Sequence, residues 1–504
     1  MNHTIILPIL LPLIVGLALL IVPSRKRMLK HMISMTAIGG LTLISLLLLA
    51  EADADKIHVY ALGNWQPPFG IVLVLDRLSA IMLVLSSTLA FFCMLYTTAE
   101  DAPQVSIHFH SLAQLLIAGV NGAFLTGDLF NLFVFFEILL VASYGLLMLG
   151  NGARRARAGL HYVLLNVLGS SIFLIGIAIM YGMTGTLNMA DLALKLSHAE
   201  PENIPLIATG GMLLLVVFGL KAALFPLYFW LPSTYAAAAA PVAALFAIMT
   251  KVGIYSIIRI FSLIFGSNAA GDLANFILPW LWPMAFVTLI LGAFGAIAAR
   301  ELRVQVSYLV VISAGTLLTG VALNSAQALS ATLFYLLHST WVCAALFLIV
   351  DLVIRQRGFA QDKIIAGPEM QQALLIGSLF FVATISVVGM PPLSGFIGKA
   401  LILQASNGPS SPYVWGGILI GGLGVLVALS RSGSTIFWRM KHQRIDTLPI
   451  DQWSIISIVG LLGFSIGLML SGNQVIAYTN ELAIQVLNPD IYINAVLAQP
   501  TPAE

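Results

Sequence analysis

Charge is what this chain has least of. Of its 504 residues, 9% are Asp, Glu, Lys or Arg, against roughly 25% in an ordinary soluble protein. Meanwhile 59% are hydrophobic and the mean hydropathy is +0.99. Water therefore cannot be the main solvent of such a chain. Cysteine is also nearly missing. Cys93 and Cys343 both fall inside apolar runs with no second Cys or His at metal spacing. No disulfide frame, metal site or iron–sulfur cluster is readable, and no cofactor is expected. The net charge of +2 is too small, and its cations too clustered, for nucleic-acid binding. The first apolar run, Ile5 to Val22, has no cation before it and no convincing cleavage site, and Arg25, Lys26, Arg27 and Lys30 follow it. That order predicts a retained span rather than a signal peptide.

What is present is a succession of apolar runs near the length of about 20 residues that a bilayer demands. About fourteen are expected, over 3–23, 32–50, 71–97, 107–126, 129–150, 158–183, 205–230, 241–265, 275–299, 304–323, 328–354, 371–406, 413–437 and 452–471. The fold class is therefore an all-α polytopic membrane protein, one membrane domain over 1–504 with no soluble domain left over. Cytoplasmic loops are enriched in Lys and Arg. Placing the N-terminus outside puts Arg25–Lys30, Arg154–Arg157, Arg300–Arg303, Arg355–Lys363 and Arg439–Arg444 inside. The loops Glu51–Lys56, Leu187–Asn203, Ser267–Asp272 and Ser406–Pro412, acidic or neutral overall, then lie outside. An even number of spans with both termini outside is expected; the inside loop around Glu100 and Asp101 carries no cation.

Two spans carry prolines at membrane depth. The seventh reads Gly219-Leu-Lys221-Ala-Ala-Leu-Phe-Pro226, and the twelfth Gly389-Met-Pro391-Pro392-Leu-Ser-Gly395-Phe-Ile-Gly398-Lys399. Proline removes a helix hydrogen bond and clashes with the preceding turn, so helices 7 and 12 should be broken. Irregular backbone is tolerated at that depth only inside protein or beside a watery cavity. Lys221 precedes its proline whereas Lys399 follows its pair, the mirror order expected of two bundles related by inverted topology.

An ionisable residue at the centre of a span costs roughly 2.5–3.5 kcal/mol on insertion scales, so such residues are by default internal and functional. Glu137 lies about 14 Å along its helix from Asp128, near mid-bilayer; the structural alternative is a hydrogen bond to a neighbouring helix. Lys221 could snorkel, though the aromatic and Pro-rich segment beyond it places the interface further away. Lys251 sits about 15 Å past Pro241, too deep for easy snorkelling. Lys399 could instead cap carbonyls freed by the Pro-Pro break. His338 lies deep in a span, and its reference pKa of about 6.5 suits proton exchange; a helix contact is the other explanation. His161 and Arg431 lie nearer the cytoplasmic ends and read as structural, while Asp76, Arg77 and the Asp351/Arg355 pair read as anchors. Burial favours a neutral lysine and a nearby carboxylate favours a charged one. Separating Glu137 from Lys221 would therefore drive a proton onward, through Lys251, His338 and Lys399, bridged by water and by Thr250, Ser339 and Thr340.

The segments Phe124-Leu-Thr-Gly-Asp-Leu-Phe-Asn-Leu-Phe-Val-Phe-Phe-Glu137, Gly185-Thr-Leu-Asn-Met-Ala-Asp191, Lys221-Ala-Ala-Leu-Phe-Pro-Leu-Tyr-Phe-Trp-Leu-Pro232, Ala239-Ala-Pro-Val-Ala and Pro391-Pro-Leu-Ser-Gly-Phe-Ile-Gly-Lys399 closely resemble the D-type component of the Mrp-type (Pha) multisubunit sodium or potassium/proton antiporters. That family is similar to the proton-pumping membrane subunits of respiratory NADH dehydrogenase. The resemblance implies fourteen spans with two inverted five-helix repeats, here 107–265 (spans 4–8) and 275–437 (spans 9–13), flanked by spans 1–3 over 1–106 and by the last span and outer tail over 452–504. It implies a relay through Glu137, Lys221, Lys251 and Lys399, the residues chosen above by burial, beside which His338 stands by its depth, and a secondary transporter subunit rather than an enzyme, in a bacterial inner membrane. It also implies partner subunits, including a larger homologous subunit and small membrane subunits, with Na+ or K+ exchanged for protons. Many relatives carry a lysine where this sequence has Cys343, so water or hydroxyls would have to link His338 to Lys399.

Two other readings stand beside this one. A pump subunit of an NADH dehydrogenase or membrane hydrogenase would use the same relay. A scaffold with no ion path would need five buried charges serving helix pairing alone. The sequence shows no cluster of carboxylates with neutral oxygen ligands that would make a hard-cation site.

Overall fold

The computed structural model describes residues 3–497 except 24, 55, 98–107, 151 and 445–448. The connection around Glu100 and Asp101 and the last residues of the tail lie outside the described residues. The chain is mostly helical, and among the described residues twelve helices are long and apolar enough to cross a membrane, with two shorter apolar ones, Phe109–Leu125 and Ala373–Val388. The shorter two fall in the stretches 107–126 and 371–406. The second of these stretches is two helices, Ala373–Val388 and Ser394–Ala405, on either side of Pro391 and Pro392.

The apolar runs predict helices alone, yet a little strand structure is present. His58–Ala61 pairs antiparallel with Val72–Leu75 just before the third span, and Pro368–Glu369 pairs with Lys441–Arg444. The first ladder runs into a capping box: Asp76 accepts from Ser79 N at 2.9 Å, and Ser79 Oγ accepts from Asp76 N at 2.9 Å. Asp128, Asn188, Ser325 and Asp451 start their helices by the same kind of side-chain cap. These polar residues at the ends of apolar runs satisfy amide groups that a helix cannot pair internally. Beyond the last span, Gly472–Leu487 and Pro489–Leu497 are helices.

Burial sorts the helices into two kinds. The apolar windows of Ala240–Leu263 and Ala326–Ala360 are wholly buried, whereas those of His3–Ile21 and Ala153–Thr184 are one-third buried. Large apolar side chains cover the periphery, Ile21 and Leu374 each being 86% exposed. Such a surface suits hydrocarbon, where an exposed leucine costs nothing and interior packing must come from close contact and hydrogen bonds.

Candidate functional site

The polar interior starts at the helix over Ala153–Thr184. Asn166 and Ser170 stand one turn apart on it, and each holds one charged residue from a different neighbour. Ser170 Oγ donates to Glu137 Oε1, and Lys221 Nζ donates to Asn166 Oδ1 at 2.7 Å. Asn166 is itself fixed by donating Nδ2 to Tyr162 O at 2.8 Å. Its two amide ends thus have different work, and Oδ1 is the end presented to the lysine. Phe136, next to Glu137 in sequence, places its ring centroid 5.8 Å from Lys221 Nζ.

Lys221 ends the Ile204–Ala222 helix. Ala223 takes a left-handed conformation with φ of 59°, an uncommon backbone for a residue with a Cβ. Carbonyls and amides released by this interruption are taken up one by one: Trp230 Nε1 donates to Leu220 O at 3.0 Å, and Phe225 N donates to Thr288 Oγ1 at 2.8 Å. Helix resumes at Trp230–Ala237. The next site residue is brought close by backbone contact. A Cβ on Gly253 would lie 2.6 Å from Ala222 N and 2.9 Å from Lys221 C. The helix Met249–Leu263, which carries Lys251, is thereby seated directly on the end of the helix that carries Lys221.

Lys251 is fully buried. Its Nζ donates to Ser313 Oγ at 3.1 Å and Thr250 Oγ1 at 3.3 Å. Beyond Ser313 lies a cavity of about 10 Å³ whose lining includes Ser313, Tyr335, His338, Ser339 and Cys343. That is about the room one water needs, and the lining offers the polar partners such a water requires. Cys343, at the position where the resemblance implies a lysine in many relatives, therefore faces a space between Lys251 and His338. Ser339 joins this lining, whereas Thr340 turns to its own helix and donates to Leu336 O at 2.7 Å.

His338 is 1% exposed and its Nδ1 lies 2.8 Å from Ser394 Oγ. Lys399, 8% exposed, donates to Val387 O at 3.0 Å and Val388 O at 2.8 Å. These are the last carbonyls of the Ala373–Val388 helix, so the capping explanation for Lys399 describes its position here. Four of the five expected residues are thus buried and enclosed. Glu137 is the fifth, and it is half-buried at the edge of the bundle beside the half-buried Ser170. Its mid-helix depth follows from spacing along the chain, but the face on which it stands does not.

The structure adds residues that the charge argument passes over. Asn166, Ser170, Ser313, Ser386, Ser394 and Ser465 are neutral, and nothing in a single apolar run distinguishes them from ordinary helix serines. Only the one-turn spacing of Asn166 and Ser170 is visible in the sequence. Arg259 escapes the same argument although it is charged: it pairs with Asp76 through contacts of 2.7 and 2.8 Å, with the two side chains 6% and 1% exposed. Asp351 and Arg355 pair at 2.7 Å one turn apart, as their spacing predicts, and Arg431 donates to Ala299 O at 3.0 Å.

A family profile described as NADH:quinone oxidoreductase/Mrp antiporter, TM, matches residues 126–424, the stretch that holds every residue of this row. The chain belongs to that NADH:quinone oxidoreductase/Mrp antiporter family. Among curated relatives, it is 41% identical over 534 residues to the D subunit of a probable K(+)/H(+) antiporter of Rhizobium meliloti, covering 99% of this chain and 98% of that one. It is 37% identical to the D subunit of the Na(+)/H(+) antiporter of Alkalihalophilus pseudofirmus, covering 99% and 100%. Among solved structures, a chain of the Mrp complex from Dietzia sp. superposes with a TM-score of 0.88 at 26% identity, covering 99% of this chain and all of that one.

Proposed function

We propose that this chain is the proton-translocating D subunit of a multisubunit Na+ or K+/proton antiporter, a secondary transporter subunit and not an enzyme. The observation that carries the proposal is the row Lys221, Lys251, His338 and Lys399 buried inside an apolar bundle, with Glu137 half-buried at its edge, each held by a neutral polar group or backbone carbonyl. Full-length similarity to antiporter D subunits supports it. The fourteen apolar stretches then act as fourteen spans, two of them made by the shorter helices. Spans 4–8 and 9–13 form two bundles of inverted topology, interrupted beside Lys221 and Lys399.

In this arrangement Glu137 and Lys221 are each satisfied by a neutral partner on the same helix, rather than by one another. A lysine in that position keeps its ammonium only while hydrogen bonds and nearby negative charge offset its desolvation. Movement of Lys221 toward Glu137 holds the proton; movement away releases it to Lys251, and from there by way of Ser313 and the small cavity to His338 and Lys399. Partner subunits, among them a larger homologous subunit and small membrane subunits, complete the exchange. The assembly sits in the bacterial inner membrane with both termini of this chain outside.

Everted vesicles containing the whole complex test this proposal. Glu137→Gln or Lys221→Ala should abolish proton movement driven by added Na+ or K+, with the complex still assembled. Unchanged transport in both would remove these residues from the mechanism.

A further inference from the structure

Beside Lys399, a hydrogen-bonded run of side chains crosses four helices. His338 Nδ1 is 2.8 Å from Ser394 Oγ, Ser394 Oγ is 2.7 Å from Ser465 Oγ, and Ser465 Oγ is 2.6 Å from Ser386 Oγ. Ser386 and Ser394 are fully buried and Ser465 is 2% exposed. His338 comes from Ala326–Arg357, Ser386 from Ala373–Val388, Ser394 from the start of Ser394–Ala405, and Ser465 from Gln452–Leu470. A serine or threonine inside a helix commonly turns back to a carbonyl one turn earlier, as Thr316 and Thr340 do here. Ser386 and Ser465 instead direct their hydroxyls across helices, to each other.

The run starts on one titratable group of the relay and ends next to the backbone that holds another. One end is the His338 ring. At the other end, Ser386 is followed directly by Val387 and Val388, whose carbonyls receive both hydrogen bonds from Lys399. Gly395 keeps the two ends close: a Cβ there would sit 1.9 Å from Ser386 O and 2.8 Å from His338 Nε2. Any side chain at 395 would push the interrupted backbone off the imidazole.

We infer that Ser465, contributed by the last span, is the bridging hydroxyl of a proton wire running from His338 through Ser394, Ser465 and Ser386 toward Lys399. This rests on the proton-translocating function proposed above. A hydroxyl accepts on a lone pair and donates its own hydrogen, so each serine takes a proton from one neighbour as it gives one to the next. Starting with His338 as the imidazolium and Lys399 as the neutral amine, the proton on His338 Nδ1 passes to Ser394 and that of Ser394 to Ser465. Ser465 in turn supplies Ser386, and the proton of Ser386 ends on the Lys399 amine when that side chain turns from the two carbonyls. His338 is left neutral, Lys399 becomes an ammonium, and every serine keeps one proton. Only N–H and O–H bonds break and form. The wire links His338 to the neighbourhood of Lys399 through hydroxyls alone, with no lysine between them.

The experiment uses the assembled complex in everted vesicles, comparing Ser465→Ala, Ser465→Thr and Ser386→Ala with the unaltered complex and with Glu137→Gln and Lys399→Ala. Ser465→Ala should lower cation-driven proton movement roughly a hundredfold, the lower range for a positioned proton-transfer group. Ser465→Thr, which keeps a hydroxyl, should restore it. Full activity in Ser465→Ala overturns the wire, as does equal loss in Ser465→Thr and Ser465→Ala, which would mean packing alone. Should Ser465→Ala fail to assemble, Ser386→Ala decides by the same criteria. Inactive Glu137→Gln and Lys399→Ala complexes beside an active Ser465→Ala complex remove the wire and leave the transport function standing. Active complexes in those two controls remove Glu137 and Lys399 from the mechanism, and the relay reading on which the wire rests falls with them.

Discussion

Asn166 sits where one neutral amide decides the state of one charge. Its Oδ1 takes the 2.7 Å hydrogen bond of Lys221 while its Nδ2 is tied to Tyr162 O. A hydrogen bond to a charged group contributes about 1.5–3 kcal/mol. Asn166→Leu should therefore slow cation-driven proton movement markedly. Asn166→Asp should also slow it, by placing a permanent carboxylate against Lys221 and holding its proton. Equal activity in both variants and the unaltered complex would show that the amide sets nothing. The Asp76–Arg259 pair makes a different prediction, because it is buried at both partners. Removing one partner of a buried pair costs roughly 3–5 kcal/mol, while replacing both by apolar groups is often near neutral. Arg259→Met should lower the thermal stability of the complex in detergent, and adding Asp76→Asn, which removes the stranded charge and keeps an oxygen to cap Ser79 N, should recover much of it. Lys221, Lys251, His338 and Lys399 are legible in the sequence because a charge in an apolar run is costly and therefore conspicuous. Asn166, Ser313 and Ser465 are not, because a neutral hydroxyl or amide is cheap in a helix and its partner lies on another helix far away in sequence. The half-exposed side of Glu137 is illegible for a related reason: spacing along a helix gives depth, and the face is set by neighbours.

Among the helices, the contact between Met249–Leu263 and Ile204–Ala222 is the one that joins two titratable lysines. It depends on Gly253, whose missing Cβ lets the backbone approach Ala222 N. Gly253→Ala must separate the two helices or disorder the turn at Ala223. Core overpacking costs typically 1–3 kcal/mol. The expected outcome is a complex of lower yield whose remaining assembled fraction moves protons slowly. Full yield and full rate would show that the close approach carries no function. The stretch 371–406 shows how far elements can be read from sequence. Length and hydropathy give one long span, the proline pair marks where it divides into two helices, and only the structure shows that Lys399 turns back onto the carbonyls of Val387 and Val388. The 58–75 ladder is hidden in the sequence since its strands are four residues each, too short to show a clear alternation beside the long apolar runs.

For the whole molecule, orientation is the claim drawn from loop charge alone. Cys93 and Cys343 are both buried and free, so an introduced cysteine at an exposed position is a clean reporter. Asn407→Cys should react with a membrane-impermeant maleimide added to intact cells, and Arg439→Cys only after the cells are opened. The reverse pattern would invert the assignment of loops. The tail also contributes beyond its sequence reading. Glu481 pairs with Arg77 at 2.7 Å, and Tyr492 lies over the Arg259 guanidinium at 5.2 Å. The last helices thus close over the buried pair at one end of the bundle.

The central claim is that Glu137 and Lys221 together load and release the transported proton. Its most direct measurement is cation-dependent collapse of a pH gradient in everted vesicles carrying the complete complex with Glu137→Gln, at equal subunit content to the unaltered complex. The account predicts no collapse on adding either Na+ or K+. Collapse at the unaltered rate would contradict it.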